Sequence, residues 1–117
     1  MMSDCIFCKI VEGKIPAKKV YEDDDLLAFH DINPAAPVHV LVIPKQHVES
    51  LADCDASHAA VLGKLFVKVG EIAAGLGLND GFRTIVNTGR VGGQEVYHLH
   101  AHILGGPQPV GPLVTRV

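Results

Sequence analysis

Apolar residues recur at helical spacing over one long stretch of the chain. Val61, Leu62, Leu65, Val69, Ile72 and Leu76 predict a helix over 57–76. Asp55 or Ser57 can cap its start, and Gly75 and Gly77 mark its end. Gly63 and Gly70 lie inside it, cost about 1 kcal/mol each against alanine, and permit close packing on a sheet or a second copy. Residues 5–11 read as a helix of one or two turns, with Asp4 as its cap and Gly13 as its stop. Residues 18–22 and 26–30 read as strands joined at the acidic turn Asp23-Asp24-Asp25, a predicted hairpin. The loop 31–37 is punctuated by Pro34 and Pro37. Residues 38–43 are apolar apart from His39, the pattern of a central strand buried on both faces, and Pro44 follows it. Another strand is predicted over 82–87, then a glycine-rich loop over 89–93, then a last strand over 98–104. The tail 107–112 carries prolines at 107, 109 and 112 and no helical pattern.

The last strand carries the strongest chemical signal. In Tyr97-His98-Leu99-His100-Ala101-His102-Ile103-Leu104, three histidines alternate with apolar residues. A strand has a side-chain period of two, so the imidazoles share one face while Leu99, Ala101 and Ile103 face a core. A half-buried strand explains the alternation but not three imidazoles in five residues. Same-face neighbours on a strand lie about 6.6 Å apart, which puts His98 and His102 about 13 Å apart, too far to share one metal with His100. The alternative is a central residue that acts and neighbours that support it. A neutral imidazole is a competent nucleophile toward phosphorus when its other nitrogen is held by an acceptor. The loop Gly89-Arg90-Val91-Gly92-Gly93-Gln94 leads into these histidines, and glycines let backbone N–H groups approach an anion. By itself such a loop is an ordinary connector.

Composition narrows the setting. The 117 residues suit one domain, 1–117, and 48% hydrophobic residues are enough for a core. A net charge of −3 with no basic run gives no support for a nucleic-acid groove or an anionic membrane surface. No apolar stretch approaches the roughly 20 residues of a membrane span, and Met1-Met2-Ser3-Asp4 leads into no secretory core. An odd count of three cysteines fits a reducing cytoplasm. Cys5-x-x-Cys8 is the first half of many zinc sites. No second such pair exists, so further ligands must come from histidines, with Cys54 as an outside candidate. The alternative is a pair of reduced, buried thiols.

His98-Leu99-His100-Ala101-His102-Ile103-Leu104 resembles the His-x-His-x-His-apolar-apolar signature of the histidine triad (HIT) family. Further blocks resemble its Hint branch: Ile15-Pro16-Ala17-Lys18, Ala28-Phe29-His30-Asp31-Ile32, Ala36-Pro37-Val38-His39, Val42-Ile43-Pro44-Lys45 and Gly92-Gly93-Gln94. Gln94-Glu95-Val96-Tyr97-His98 is most similar to bacterial members. The resemblance implies an α+β, HIT-like fold. It has a five-stranded antiparallel sheet with one long and one short helix, and sheets joined across a homodimer. It implies hydrolysis of purine nucleoside 5′-phosphoramidates through a nucleotidyl-histidine on His100. His102 would hold the phosphate and His39 would support the charge and tautomer of the site. The carbonyl of His98 would hold the other ring nitrogen of His100. Asn87, Gly93, Gln94 and Val96 would sit along the nucleotide, Asp31 would bind the ribose, and Phe7, Ile10, Phe29, Ile32 and Leu41 would line the base pocket. Some bacterial relatives hold one structural zinc through positions corresponding to Cys5, Cys8, His47 and His98.

Two departures stand out. Glu95 occupies the place of a serine that serves the leaving group in many eukaryotic relatives, which makes Glu95 a candidate acid. The chain also has no Trp, whereas eukaryotic relatives shape the site with a C-terminal one. The competing readings are a dinucleoside polyphosphate hydrolase or nucleotidyl transferase, and a nucleotide-binding interaction module.

Overall fold

A computed structural model describes residues 4–112. The hairpin forms as its pattern predicts, with β1 at Lys19–Glu22 and β2 at Leu26–His30. Its turn is built by one carboxylate: Asp23 Oδ1 accepts from the backbone N–H groups of Asp25 and Leu26, each at 2.8 Å. Lys64, from the long helix, pairs with both Asp23 and Asp25 and ties the turn down. The acidic run is therefore a structural turn.

β3 (Val38–Pro44) follows, then β4 (Arg83–Ile85) and β5 (Ala101–Gly105). The five strands form one antiparallel sheet in the order β1-β2-β3-β5-β4. Two strands are shorter than their patterns predict. β5 starts at Ala101, not His98, because residues 98–100 lie ahead of the ladder with β3, which begins at the pair Val42–Ala101. β4 ends at Ile85, and Asn87 turns instead into the glycine loop, donating from Nδ2 to the Gly92 carbonyl at 2.7 Å.

The short helix α1 (Ile6–Val11) is capped by Cys5, whose Sγ accepts from the Cys8 N–H at 3.3 Å. This corrects the expectation for Asp4, which lies one residue before the cap and is exposed. The long helix α2 (Ala59–Gly75) is preceded by a 3₁₀ turn over Ala56–His58. Asp55 caps that turn, and His58 Nδ1 accepts back from the Asp55 N–H at 3.0 Å, completing a capping box. Gly77, at φ +81°, ends the helix in the left-handed conformation that glycine adopts without steric cost.

Both faces of the central strands are buried, as the run in β3 predicts. Val40, Val42, Leu99, Ala101 and Ile103 pack with Leu65, Val69, Ile72 and Ala73 of α2. On the opposite face, Leu27, Phe29, Leu41 and Ile43 pack under Phe7 and Ile10 of α1. Burying each such side chain contributes roughly 1.5–3 kcal/mol. The alternation through residues 98–103 thus puts the apolar partners on the α2 side and the imidazoles on the α1 side.

Candidate functional site

Four imidazoles gather on the α1 face, and backbone groups decide where their protons sit. His98 is fully buried, and its Nε2 donates to the Pro44 carbonyl at 2.7 Å. Its Nδ1 is therefore a bare lone pair. His100 is also buried, and its Nδ1 donates to the carbonyl of His98 at 2.8 Å. That leaves His100 Nε2 as the lone-pair nitrogen. His39 Nδ1 accepts from the Ala35 N–H at 3.0 Å, so its Nε2 carries the proton. Nε2 bonds His102 Nδ1 at 2.9 Å, and Asp31 Oδ2 lies 3.5 Å from the same nitrogen. His102 Nδ1 is then an acceptor and His102 Nε2 is a donor. A neutral imidazole has one nitrogen of each kind, and here each choice is fixed.

Burial favours the neutral form of His39, His98 and His102. It pushes His98 and His102 down to about 4, with further lowering by neighbouring imidazoles. His39 is lowered by burial too, against the opposing pull of Asp31. The His100 and His102 rings stand 4.9 Å apart, and Phe7 meets the edge of His100 at 5.2 Å. A lone-pair nitrogen beside an N–H donor can attack an electrophilic phosphorus while the donor holds one of its oxygens.

The apolar residues expected to meet a base are brought together, with one exception. Phe7, Ile10, Phe29 and Leu41 form one cluster, and Val96 packs against it. Ile32 is 91% exposed and stands on the rim. The glycine loop is closed by its own bonds. Gly93 N donates to the Arg90 carbonyl, Gln94 N to the Gly89 carbonyl, and Gly89 N to Gln94 Oε1. Both amide hydrogens of Gln94 are also used, toward the Glu49 and Val96 carbonyls. Gln94 is thus the staple of the loop, and Asn87 is its second tie. Gly93 sits at φ +80°, and a Cβ on Gly92 would meet the backbone of Thr88, with its nitrogen at 2.9 Å. Backbone cannot give way as a side-chain tip can. Gly92→Ala is expected to cost about 1–3 kcal/mol of stability, checked by thermal melting, through overpacking of the loop.

A second cluster lies behind the first. Cys5, Cys8, His47 and His98 bring one ligand atom each within 4.8 Å of one another. His47 Nδ1 and His98 Nδ1 are 3.2 Å apart. The sulfur-to-nitrogen distances are 3.3 Å for Cys5–His98, 3.4 Å for Cys8–His47 and 3.5 Å for Cys8–His98. A tetrahedron with zinc bonds of about 2.3 Å to sulfur and about 2.0–2.1 Å to nitrogen has nitrogen–nitrogen and sulfur–nitrogen edges of about 3.3–3.6 Å. The four residues therefore fit a metal ion. His47 Nε2 is buried and has no partner among the described residues, so the ring is not held from that side. Burial, with Cys5 and Glu12 nearby, pushes the Cys8 thiol up to about 11, so a cation is what would hold it as thiolate. Asp31, His39 and His102 are also close enough to suggest a metal. Their proton pattern opposes it, since the His39 nitrogen facing the other two bears hydrogen.

The sequence pointed to the His98 carbonyl but not to two other backbone partners. The Pro44 carbonyl and the Ala35 N–H fix two tautomers, and no side-chain motif marks either. The remaining candidates are structural: His58 is a cap, and Cys54 Sγ lies 3.5 Å from the Ser50 carbonyl.

An antiparallel sheet with one long helix, carrying three alternating histidines on the opposite face, defines a histidine triad fold. A family model described as HIT domain matches residues 12–108, and the chain belongs to that family. It is 58% identical to Protein HitA of Neisseria gonorrhoeae over 106 residues, covering 91% of this chain and 99% of that one. It is 45% identical to the purine nucleoside phosphoramidase of Escherichia coli K12 over 117 residues, covering 99% and 98%. A HIT family hydrolase from Clostridium thermocellum superposes with a TM-score of 0.92 at 41% identity, covering 98% of this chain and all of that one.

Proposed function

We propose that this chain hydrolyses purine nucleoside 5′-phosphoramidates. The observation that carries the reading is the proton placement at His100: Nδ1–H is spent on the His98 carbonyl, and Nε2 faces the site bare. His100 Nε2 forms a bond to the α-phosphorus, the P–N bond breaks, and the amine leaves with a proton. Water then cleaves the nucleotidyl-imidazole, giving the nucleoside monophosphate and restoring His100. His102 Nε2–H holds a phosphoryl oxygen through both steps, and His39 keeps His102 in that tautomer. Phe7, Ile10, Phe29 and Leu41 receive the base, with Ile32 and Val96 at its edges, and Asp31 receives the ribose. Asn87, Gly93 and Gln94 contribute by holding the loop in shape beside the phosphate.

The similarity to the Escherichia coli phosphoramidase supports this substrate class over a dinucleoside polyphosphate. A kinetic comparison tests it. Adenosine 5′-phosphoramidate should be turned over with the larger kcat/KM, and a preference for diadenosine polyphosphate would overturn the reading.

Glu95 is exposed and lines an open cavity of about 370 Å³ with Glu49 and Tyr97. Glu95 is a candidate proton donor to the leaving amine, and solvent can supply the same proton. Glu95→Gln is therefore expected to lower kcat by about tenfold or less, below the usual range for an indispensable acid. Steady-state rates with a basic alkylamine leaving group check this. A thousandfold loss would make Glu95 the obligatory acid.

The proposal extends to zinc at Cys5, Cys8, His47 and His98, where the ion supplies a cross-link and no step of the reaction. It extends to one domain over 1–117 and to a cytoplasmic homodimer. Phe66 and Val67 leave an apolar patch on α2, exposed by 48% and 65%, that suits the same helix of a second copy. No helix among the described residues is long and apolar enough to cross a membrane.

A further inference from the structure

We infer that ribose recognition and phosphate activation share one proton, the Nε2–H of His39. This rests on the placement of ribose at Asp31 proposed above. The geometry is a fork. His39 has one hydrogen to give, because the Ala35 N–H occupies its Nδ1 at 3.0 Å. Two acceptors lie near Nε2: His102 Nδ1, which takes the hydrogen bond at 2.9 Å, and Asp31 Oδ2, at an ion-pair distance of 3.5 Å. Asp31 is itself held on the other side, its Oδ1 accepting from the Asn33 N–H at 2.7 Å and its N–H donating to the His39 carbonyl at 3.0 Å. The carboxylate therefore stays beside the fork whether or not a nucleotide is bound.

The consequence follows from hydrogen-bond chemistry. An ionised carboxylate is an acceptor only, and an unengaged Oδ2 draws the His39 hydrogen toward itself. Ribose hydroxyls that donate to Oδ2 reduce that pull. The hydrogen then belongs to His102, whose Nε2–H is fixed and aimed at the phosphoryl oxygen. Sugar binding thus completes the phosphate donor. His39 is a positioning residue in this scheme: it touches neither sugar nor phosphorus and acts through His102. Removing the hydroxyls should therefore slow turnover as well as weaken binding.

The test compares adenosine 5′-phosphoramidate with its 2′,3′-dideoxy counterpart on the wild type and on His39→Gln. The glutamine amide carries two hydrogens, so it can serve both acceptors at once and abolish the competition. In the wild type the dideoxy substrate should raise KM and lower kcat about fivefold, the size of one net hydrogen bond. In His39→Gln the kcat difference should shrink to about twofold or less, while the KM difference stays. A rise in KM with unchanged kcat in the wild type leaves the ribose placement standing and overturns the coupling. No change in either constant removes the ribose from Asp31 and the coupling with it. An undiminished kcat difference in His39→Gln overturns the route through His39. The wild type gives a second readout that needs no variant and no turnover. In protein labelled with ¹⁵N in its histidine rings, adenosine monophosphate should strengthen the His39 Nε2–H to His102 Nδ1 bond more than dideoxyadenosine monophosphate does. Identical ring signals with the two nucleotides would overturn the inference.

Discussion

His100→Ala is expected to lower kcat by at least about a thousandfold while leaving the fold in place, the scale seen when a nucleophile is deleted from a preorganised site. In the proposed mechanism the ring nitrogen is the bond-forming atom, and no neighbour can replace it. His98 Nδ1 faces the cysteines, and His102 holds its lone pair toward His39. The substitution removes one buried imidazole and its bond to the His98 carbonyl, at a cost of about 1–3 kcal/mol. The cores on both faces of the sheet keep their other members. Circular dichroism and a thermal melt would show the retained fold, and single-turnover kinetics the lost chemistry. A well-folded variant with near-normal rates would overturn the nucleophile assignment.

Metal removal is the second large effect expected. Protein purified without added zinc should carry one equivalent per chain. Chelation at pH 7 should lower Tm by about 10 °C or more, equivalent to roughly 2 kcal/mol for a domain of this size. The reason lies in α1. Six residues cannot sustain a helix alone. What holds α1 is the apolar contact of Phe7 and Ile10, and the cluster that Cys5 and Cys8 form with His47 and His98. Without the cation, the Cys8 thiol, at about 11, stays protonated at pH 7. The sign of the pH dependence follows. Bound metal requires deprotonated cysteine, so protons compete with it, and chelator should strip it faster as pH falls. Metal-free protein as purified, with a melt unchanged by chelator, would sink the metal assignment. Cys8→Ser should reproduce most of the loss of Tm without chelator.

Much of this was legible in the sequence because period and burial agree. The α2 stripe, the hairpin, the two-faced β3 and the alternation of residues 98–103 all follow from side-chain spacing. What spacing does not carry is pairing. β5 begins at Ala101 because its ladder with β3 runs no further than Val42, although the alternation starts three residues earlier. The Cys5 cap was hidden because sulfur is a weak acceptor, and aspartate is the ordinary choice. The roles of Gln94 and Asn87 in holding the loop depend on carbonyls brought near by the fold, from Glu49, Val96 and Gly92. Spacing made only half of the metal cluster legible, and the family resemblance supplied the other half. Cys5 and Cys8 announce a site by spacing, while His47 and His98 lie 39 and 90 residues from Cys8 and join it only through the sheet.

The groups that set the three tautomers are the main-chain atoms of Ala35, Pro44 and His98. Every residue type has a carbonyl, and every type except proline has an N–H. The protonation pattern can therefore persist under genetic drift at Ala35 and Pro44, wherever the backbone path is kept. Evolution is left free to vary the side chains around the rim, where Ile32, Arg90, Val91 and Glu95 are exposed. Under the proposed activity, such a scaffold can exchange one amine preference for another by surface substitutions, without rebuilding the reactive centre beneath them.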